Sequence, residues 1–206
     1  MGRPLVIACG ALVSELRAVL AANGLTDAID VRYLPANLHN RPERIVPTIV
    51  DTLETELASD PGRDVLLGYA DCGTGGQLDA LLHRLAEQHP NVRRLPGSHC
   101  YEFFTGSPEF ASVADEELGT FFLTDYLAKH FEPLIWQAYK LHEHPELRTM
   151  MFGNYTRVLL LTQSDDPAVV EAGRRAAQLL DLRFEHRHVG LTPFSDAVSV
   201  TLRKAV

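Results

Sequence analysis

Residues 4–35 read PLVIACGALVSELRAVLAANGLTDAIDVRYLP. The opening apolar run, Pro4 to Cys9, ends at Cys9-Gly10, which predicts a buried strand followed by a turn. From Ala11 to Asn23 the apolar residues Leu12, Leu16, Val19 and Leu20 recur at helical spacing, and Gly24 is the residue that stops such a helix. Ile29, Val31 and Tyr33 then alternate up to Pro35, as a second strand should. Strand, helix and strand in that order make a right-handed βαβ unit with parallel strands.

The same rhythm continues outward. Pro42 to Leu57 carries Ile45, Ile49, Leu53 and Leu57 at four-residue spacing and reads as a helix, with Pro47 shifting its start or kinking it. Asp64 to Tyr69 is a third strand, Gln77 to Gln88 a helix, and Val92 to Leu95 a short fourth strand. Ser107 to Met151 has little strand pattern and reads as helices: Pro108 to Ala114, Thr120 to Leu141 with a kink at Pro133, and one from Pro145. Arg157 to Thr162 returns to a strand, Pro167 to Leu180 is a helix capped by Asp166, and Leu182 to His188 is a last strand. The expected fold is therefore α/β, a Rossmann-like doubly wound parallel sheet with a helical insertion. Strand–helix–strand from Leu5 to Leu34 echoes that from Val158 to His188. The chain divides into a first lobe over 1–106, an insertion over 107–151 and a smaller second lobe over 152–206, or forms one continuous sheet.

Composition narrows the function classes. Among 206 residues, 46% are apolar and 22% charged, enough for a full core. The net charge of -8 leaves no basic footprint for nucleic acid or an anionic membrane surface. The apolar runs are far too short to span a bilayer, and Met1-Gly-Arg-Pro leads straight into a strand rather than a secretion signal. A soluble, cytoplasmic protein is expected.

The three cysteines, Cys9, Cys72 and Cys100, are an odd number, spread widely in sequence, and do not suggest a disulfide framework. Each falls at or just beyond the carboxyl end of a strand, the edge at which open parallel sheets bind ligands. In one common strand order of this class, strands one, three and four lie side by side, which would bring the three thiols to one rim. His39, after the second strand, belongs to that rim, and His99 directly precedes Cys100. A buried thiol can simply pack. Three at strand ends, beside Gly10, Asp71-Gly73 and His99, point instead to a shared site. Three thiolates and one imidazole complete a tetrahedral zinc shell, and three thiolates can also hold an iron–sulfur cluster with an open iron. Zinc is preferred because Cys9, Cys72 and Cys100 with His39 already saturate it; His99 is the alternative fourth ligand.

Further candidates surround the thiols. Gly73-Thr74-Gly75-Gly76 opens a helix, and its free backbone N–H groups could cradle an anionic cofactor, although it fits neither common nucleotide pattern. Glu102 is a candidate general base, or a residue that merely orients His99. Asp125 and His130 read as a solvated helix face. His186 and His188 share one face of a charged strand, which reads as an exposed edge rather than a chelating pair. The aromatic set Tyr101, Phe103, Phe104, Phe121, Phe122, Phe131 and Trp136 reads as core.

Several of these runs are also similar to one prokaryotic family. They are Ile7-Ala-Cys9, Gly68-Tyr-Ala-Asp-Cys-Gly73, His99-Cys-Tyr-Glu102 with Gly106, Gly119-Thr-Phe-Phe-Leu-Thr-Asp125, and Phe152-Gly-Asn-Tyr-Thr156. That family is a domain of unknown function whose members often occur beside corrinoid-dependent methyltransferases, and the resemblance spans nearly the whole chain. It implies a role in one-carbon or methylamine metabolism and supports Cys9, Cys72 and Cys100 as matching cysteines. Ala70 stands where the family often has a second glycine. The expected function is an enzyme or accessory factor of corrinoid-linked methyl transfer, with a small-molecule thiol, a methyl donor or a corrinoid protein as partner. The alternatives are a non-catalytic protein that handles metal or corrinoid, and an iron–sulfur protein that reactivates a corrinoid.

Overall fold

The computed structural model describes residues 2–203, so Met1 of the expected first lobe and residues 204–206 of the expected last one lie outside the described residues. The quoted βαβ stretch forms as read: β1 (Leu5–Cys9), α1 (Val13–Ala22) entered through a 3₁₀ turn, and β2 (Asp30–Leu34). There follow α2 (Ile45–Leu57), β3 (Val65–Gly68), α3 (Gln77–Leu85) and β4 (Val92–Arg94). Pro47 does shift the helix start. A 3₁₀ turn takes up Pro42–Arg44, and α2 begins at Ile45, so Pro47 sits among first-turn residues whose N–H groups have no intrahelical acceptor.

These four strands form one all-parallel sheet in the order β2-β1-β3-β4, which sets β1, β3 and β4 side by side. Leu5, Ile7, Val65 and Leu67 are almost fully buried, as expected for strands covered on both faces. Each such side chain contributes about 1.5–3 kcal/mol by leaving water. Strands β1 and β3 approach closely at Gly68, where a Cβ would lie 2.8 Å from the Ala8 Cβ.

After α4 (Tyr101–Thr105) come α5 (Ser107–Glu116), β5 (Thr120–Leu123), α6 (Asp125–Lys129) and α7 (Pro145–Phe152). The kinked helix expected over Thr120 to Leu141 is thus corrected. Its first residues form a strand, paired in parallel with β6 (Arg157–Thr162) from Thr120↔Arg157 to Leu123↔Leu160. A β-branched residue followed by two phenylalanines suits a pleated, buried surface better than a helix. Further on, Pro133 lacks the N–H a helix needs, and Glu132–Trp136 form a single π-type turn with Gln137 N donating to the Glu132 carbonyl at 2.7 Å. Strand β6, helix α8 (Pro167–Leu180) and strand β7 (Arg183–His188) complete a second parallel sheet, β5-β6-β7. The last helix is α9 (Thr192–Arg203).

Two compact units result. One comprises Met1–Phe103 and Thr192–Val206, the other Phe104–Leu191. Each has its own parallel sheet flanked by helices, a Rossmann-like α/β arrangement. Among the described residues no helix is long and apolar enough to cross a membrane.

Candidate functional site

The strand order of the first unit carries the site. Cys9 is the last residue of β1, and its sulfur accepts the Ala11 N–H at 3.5 Å, capping the turn into α1. The β1–β3 register ends at Ala8↔Gly68, so the next residue on each strand path, Cys9 and Tyr69, emerges at the same sheet edge. Beyond Tyr69 the chain is tied to the loop after β4: Asp71 N donates to the Gly97 carbonyl at 3.2 Å and Cys72 N to the Ser98 carbonyl at 3.0 Å. Arg94 braces that loop from beneath, donating to the carbonyls of Leu95 and Gly97 while paired with Asp79. These bonds carry Cys72 toward Cys100. Cys72 itself has φ +51°, a left-handed conformation that L-residues other than glycine, asparagine and aspartate rarely adopt.

Electrostatics records the result. Burial pushes the Cys72 thiol up to about 12, with the Cys9 and Asp71 charges adding to the rise. Burial also raises Cys9, and it raises Cys100 well above the ordinary thiol range, with Cys72 and Cys9 pushing it further. The three sulfurs are therefore one another's neighbours, brought from three strand ends, and all are protonated at neutral pH. They do not form a ligand set: among the described residues no group of three or more His, Cys, Asp or Glu could hold a metal ion.

The other predicted residues take different places. His39, exposed in the 3₁₀ turn Ala36–Asn40, has its imidazole pKa lowered by desolvation and then by His99, so the two histidines are neighbours. Pro42, three residues on from His39, lies against the Gly73 turn, which sets this loop beside the Cys72 segment. Glu102 accepts the N–H of Ser98 at 2.7 Å and of His99 at 3.1 Å; its carboxylate holds the turn that presents Cys100. The anion cradle at Gly73, Thr74, Gly75 and Gly76 already has an occupant. The Asp71 carboxylate accepts Thr74 Oγ1 at 2.7 Å, Gly76 N at 2.8 Å and Gly75 N at 3.1 Å, and these donors hold its pKa below the usual carboxylate range. Ala70 is fully buried and keeps a negative φ, so an alanine meets no backbone strain there.

Two residues escape sequence reasoning. Tyr69 is 1% exposed, and its hydroxyl sits beside Cys9, with Cys72 as a second ionisable neighbour. The available signal is its place one residue beyond a strand that pairs with β1. Asp71 was detectable as an aspartate preceding a Thr-Gly-Gly helix start.

In the second unit Asp125 is buried rather than on a solvated face. Its carboxylate accepts Gln163 N at 2.9 Å, Ser164 N at 3.0 Å and Ser164 Oγ at 2.5 Å, and its own N–H donates to Gln163 Oε1. A strand end followed by a capping Thr124 requires this inward turn. His186 and His188 are exposed on the edge strand β7, as expected, and both contact Thr162 Oγ1.

A family model described as a protein of unknown function (DUF1638) matches residues 33–198. No curated protein and no solved structure matches the chain.

Proposed function

The chain belongs to the family of unknown function DUF1638, and from that premise we propose that its first unit binds a soft metal ion on Cys9, Cys72 and Cys100 and uses it in methyl-group transfer. What supports the reading is that the three thiols come from separate strand ends of one sheet and feel one another's charge, with one of them on a strained backbone. Strain at a binding edge is retained where function requires the geometry. Zinc is the preferred ion, with His39 as fourth ligand and His99 as its rival. A thiolate-rich zinc site holds an added thiol in its nucleophilic form near neutral pH. The methyl group would pass to that thiol from a methylated corrinoid or another donor. A metal- or corrinoid-handling protein without turnover is the rival, separated from the first by multiple-turnover assays.

Protein purified anaerobically should contain about one zinc per chain and show no visible absorption. A visible band would move the assignment to an iron–sulfur cluster. Cys9→Ala, Cys72→Ala and Cys100→Ala should each lose most of the metal. Undiminished loading in all three would remove the shared site.

A further inference from the structure

Between α6, the π-type turn that follows it and α8 lies a cavity of about 350 Å³, at the lower end of the range that small-molecule sites occupy. Its floor is apolar, built on the buried Phe131 and Ala176 together with Leu179. On α8 the lining residues Ala172, Arg175, Ala176 and Leu179 recur at three- and four-residue spacing, so they form one stripe of the helix. Larger side chains in place of the alanines would fill the space and gain contacts, so the opening is not one that folding favours.

Two charges border this apolar floor. Among the described residues neither the Arg175 guanidinium nor the Glu132 carboxylate has an ion pair or a side-chain hydrogen bond, with each other or elsewhere. The cations beside them are engaged: Lys129 meets Asp166 at 3.1 Å, and Arg174 lies 4.8 Å from the centre of the Phe184 ring and 3.8 Å from Glu171. A guanidinium grips a carboxylate through two parallel hydrogen bonds, and a carboxylate accepts those of an ammonium. A simple anion would be repelled by Glu132, and a simple cation by Arg175. We infer that this cavity binds a free α-amino acid with a large apolar side chain. Its carboxylate pairs with Arg175, its ammonium with Glu132, and its side chain lies against Phe131, Ala176 and Leu179. A peptide terminus supplies only one of the two charges, whereas a free amino acid carries both on one carbon. The site lies wholly within the second unit and stands whether or not the thiols of the first unit bind metal.

The test is calorimetric titration of the full chain with L-leucine and L-phenylalanine, each compared with its decarboxylated amine and its deaminated acid. At least one of the two amino acids should bind saturably at one site per chain. Its amine and its acid should each bind about tenfold more weakly, because each lacks one charge-assisted contact. In Arg175→Gln the amino acid should fall to the affinity of its amine, and in Glu132→Gln to that of its acid. Ala172→Leu, which fills the cavity, should abolish binding while melting no lower than wild type. No saturable heat from either amino acid up to about 10 mM would overturn the proposal. So would wild-type affinity for the acid or the amine equal to that for the amino acid. If Ala172→Leu melts lower than wild type, the two charge variants decide, since both side chains are exposed and their loss leaves the core intact. Unchanged affinity in both of them would overturn the site.

Discussion

Two strand–helix–strand segments of one chain, β1-α1-β2 and β6-α8-β7, end at carboxyl edges that differ in how their polar groups are met. At the edge of the second unit the chain answers itself. Asp125 accepts two backbone N–H groups and a serine hydroxyl, the Gln163 side-chain oxygen accepts the Asp125 N–H, and Thr162 meets two imidazoles. At the edge of the first unit, by contrast, three thiols resist ionisation, a buried phenol sits beside one of them and one cysteine sits at positive φ. Even there the ordinary polar groups are consumed, the Gly75 and Gly76 N–H groups by Asp71 and the Ser98 and His99 N–H groups by Glu102. What distinguishes this edge is its chemistry: three sulfurs, a buried phenol and two neighbouring histidines. A saturated edge holds its fold, and an edge left unsaturated in one element invites a ligand of matching softness.

The largest effect that would break this contrast lies in the second unit. Asp125→Ala removes a buried carboxylate and strands the buried Gln163 N–H, so it should destabilise by about 3 kcal/mol. Denaturant unfolding followed by circular dichroism measures it. Metal content should stay at the wild-type level. A loss below about 0.5 kcal/mol would mean that the edge does not depend on its internal bonds.

The contrast was only partly visible in the sequence. Strands β1, β3 and β6 were legible because strands buried on both faces read as unbroken apolar runs, and the 2-1-3-4 order is one that such a pattern allows. That order is what made Cys9, Cys72 and Cys100 candidates for one edge. Strand β5 was hidden because Thr120–Leu123 shows no alternation and runs through Thr124 straight into the helical residues of α6, so the whole window reads as one helix. The destination of Asp125 depends on the pairing of β5 with β6 and was hidden with it. Tyr69 was likewise obscured, since an apolar ring in a strand-end position reads as core, and the placement of its oxygen beside Cys9 is a property of packing.

A smaller effect sharpens the first edge. Asp71→Ala should cost about 1–1.5 kcal/mol, the range of a lost helix-start cap, and should lower metal content because Cys72 is the next residue. Its pH dependence has a definite sign. The Thr74 hydroxyl, the Gly76 and Gly75 N–H groups and Arg94 hold the Asp71 pKa below its usual 3.8. A depressed carboxylate contributes stability that is complete above the unfolded value and is lost as pH falls through the folded one. The stability gap between wild type and Asp71→Ala should therefore be constant from pH 7 to 5 and narrow below about pH 4. A gap that widens in acid would mean that the protonated form is the one the turn holds.

The smallest effect separates strain from packing at the thiol edge. At an ordinary exposed site alanine is more stabilising than glycine, because glycine leaves the unfolded chain freer. Cys72 has φ +51°, where a Cβ is a burden, and its neighbours Gly73, Gly75 and Gly76 also have positive φ. The order should therefore invert, with Cys72→Gly more stable than Cys72→Ala by about 0.5–1 kcal/mol, although glycine buries less. Both variants lose the sulfur, so their metal contents should be equally low, and only the backbone term distinguishes them. Paired thermal or denaturant melts of the two metal-free variants read that term directly. If alanine proved the more stable, the loop would relax without cost, and the left-handed turn at Cys72 would be a consequence of where the chain passes rather than a price kept for the placement of its thiol.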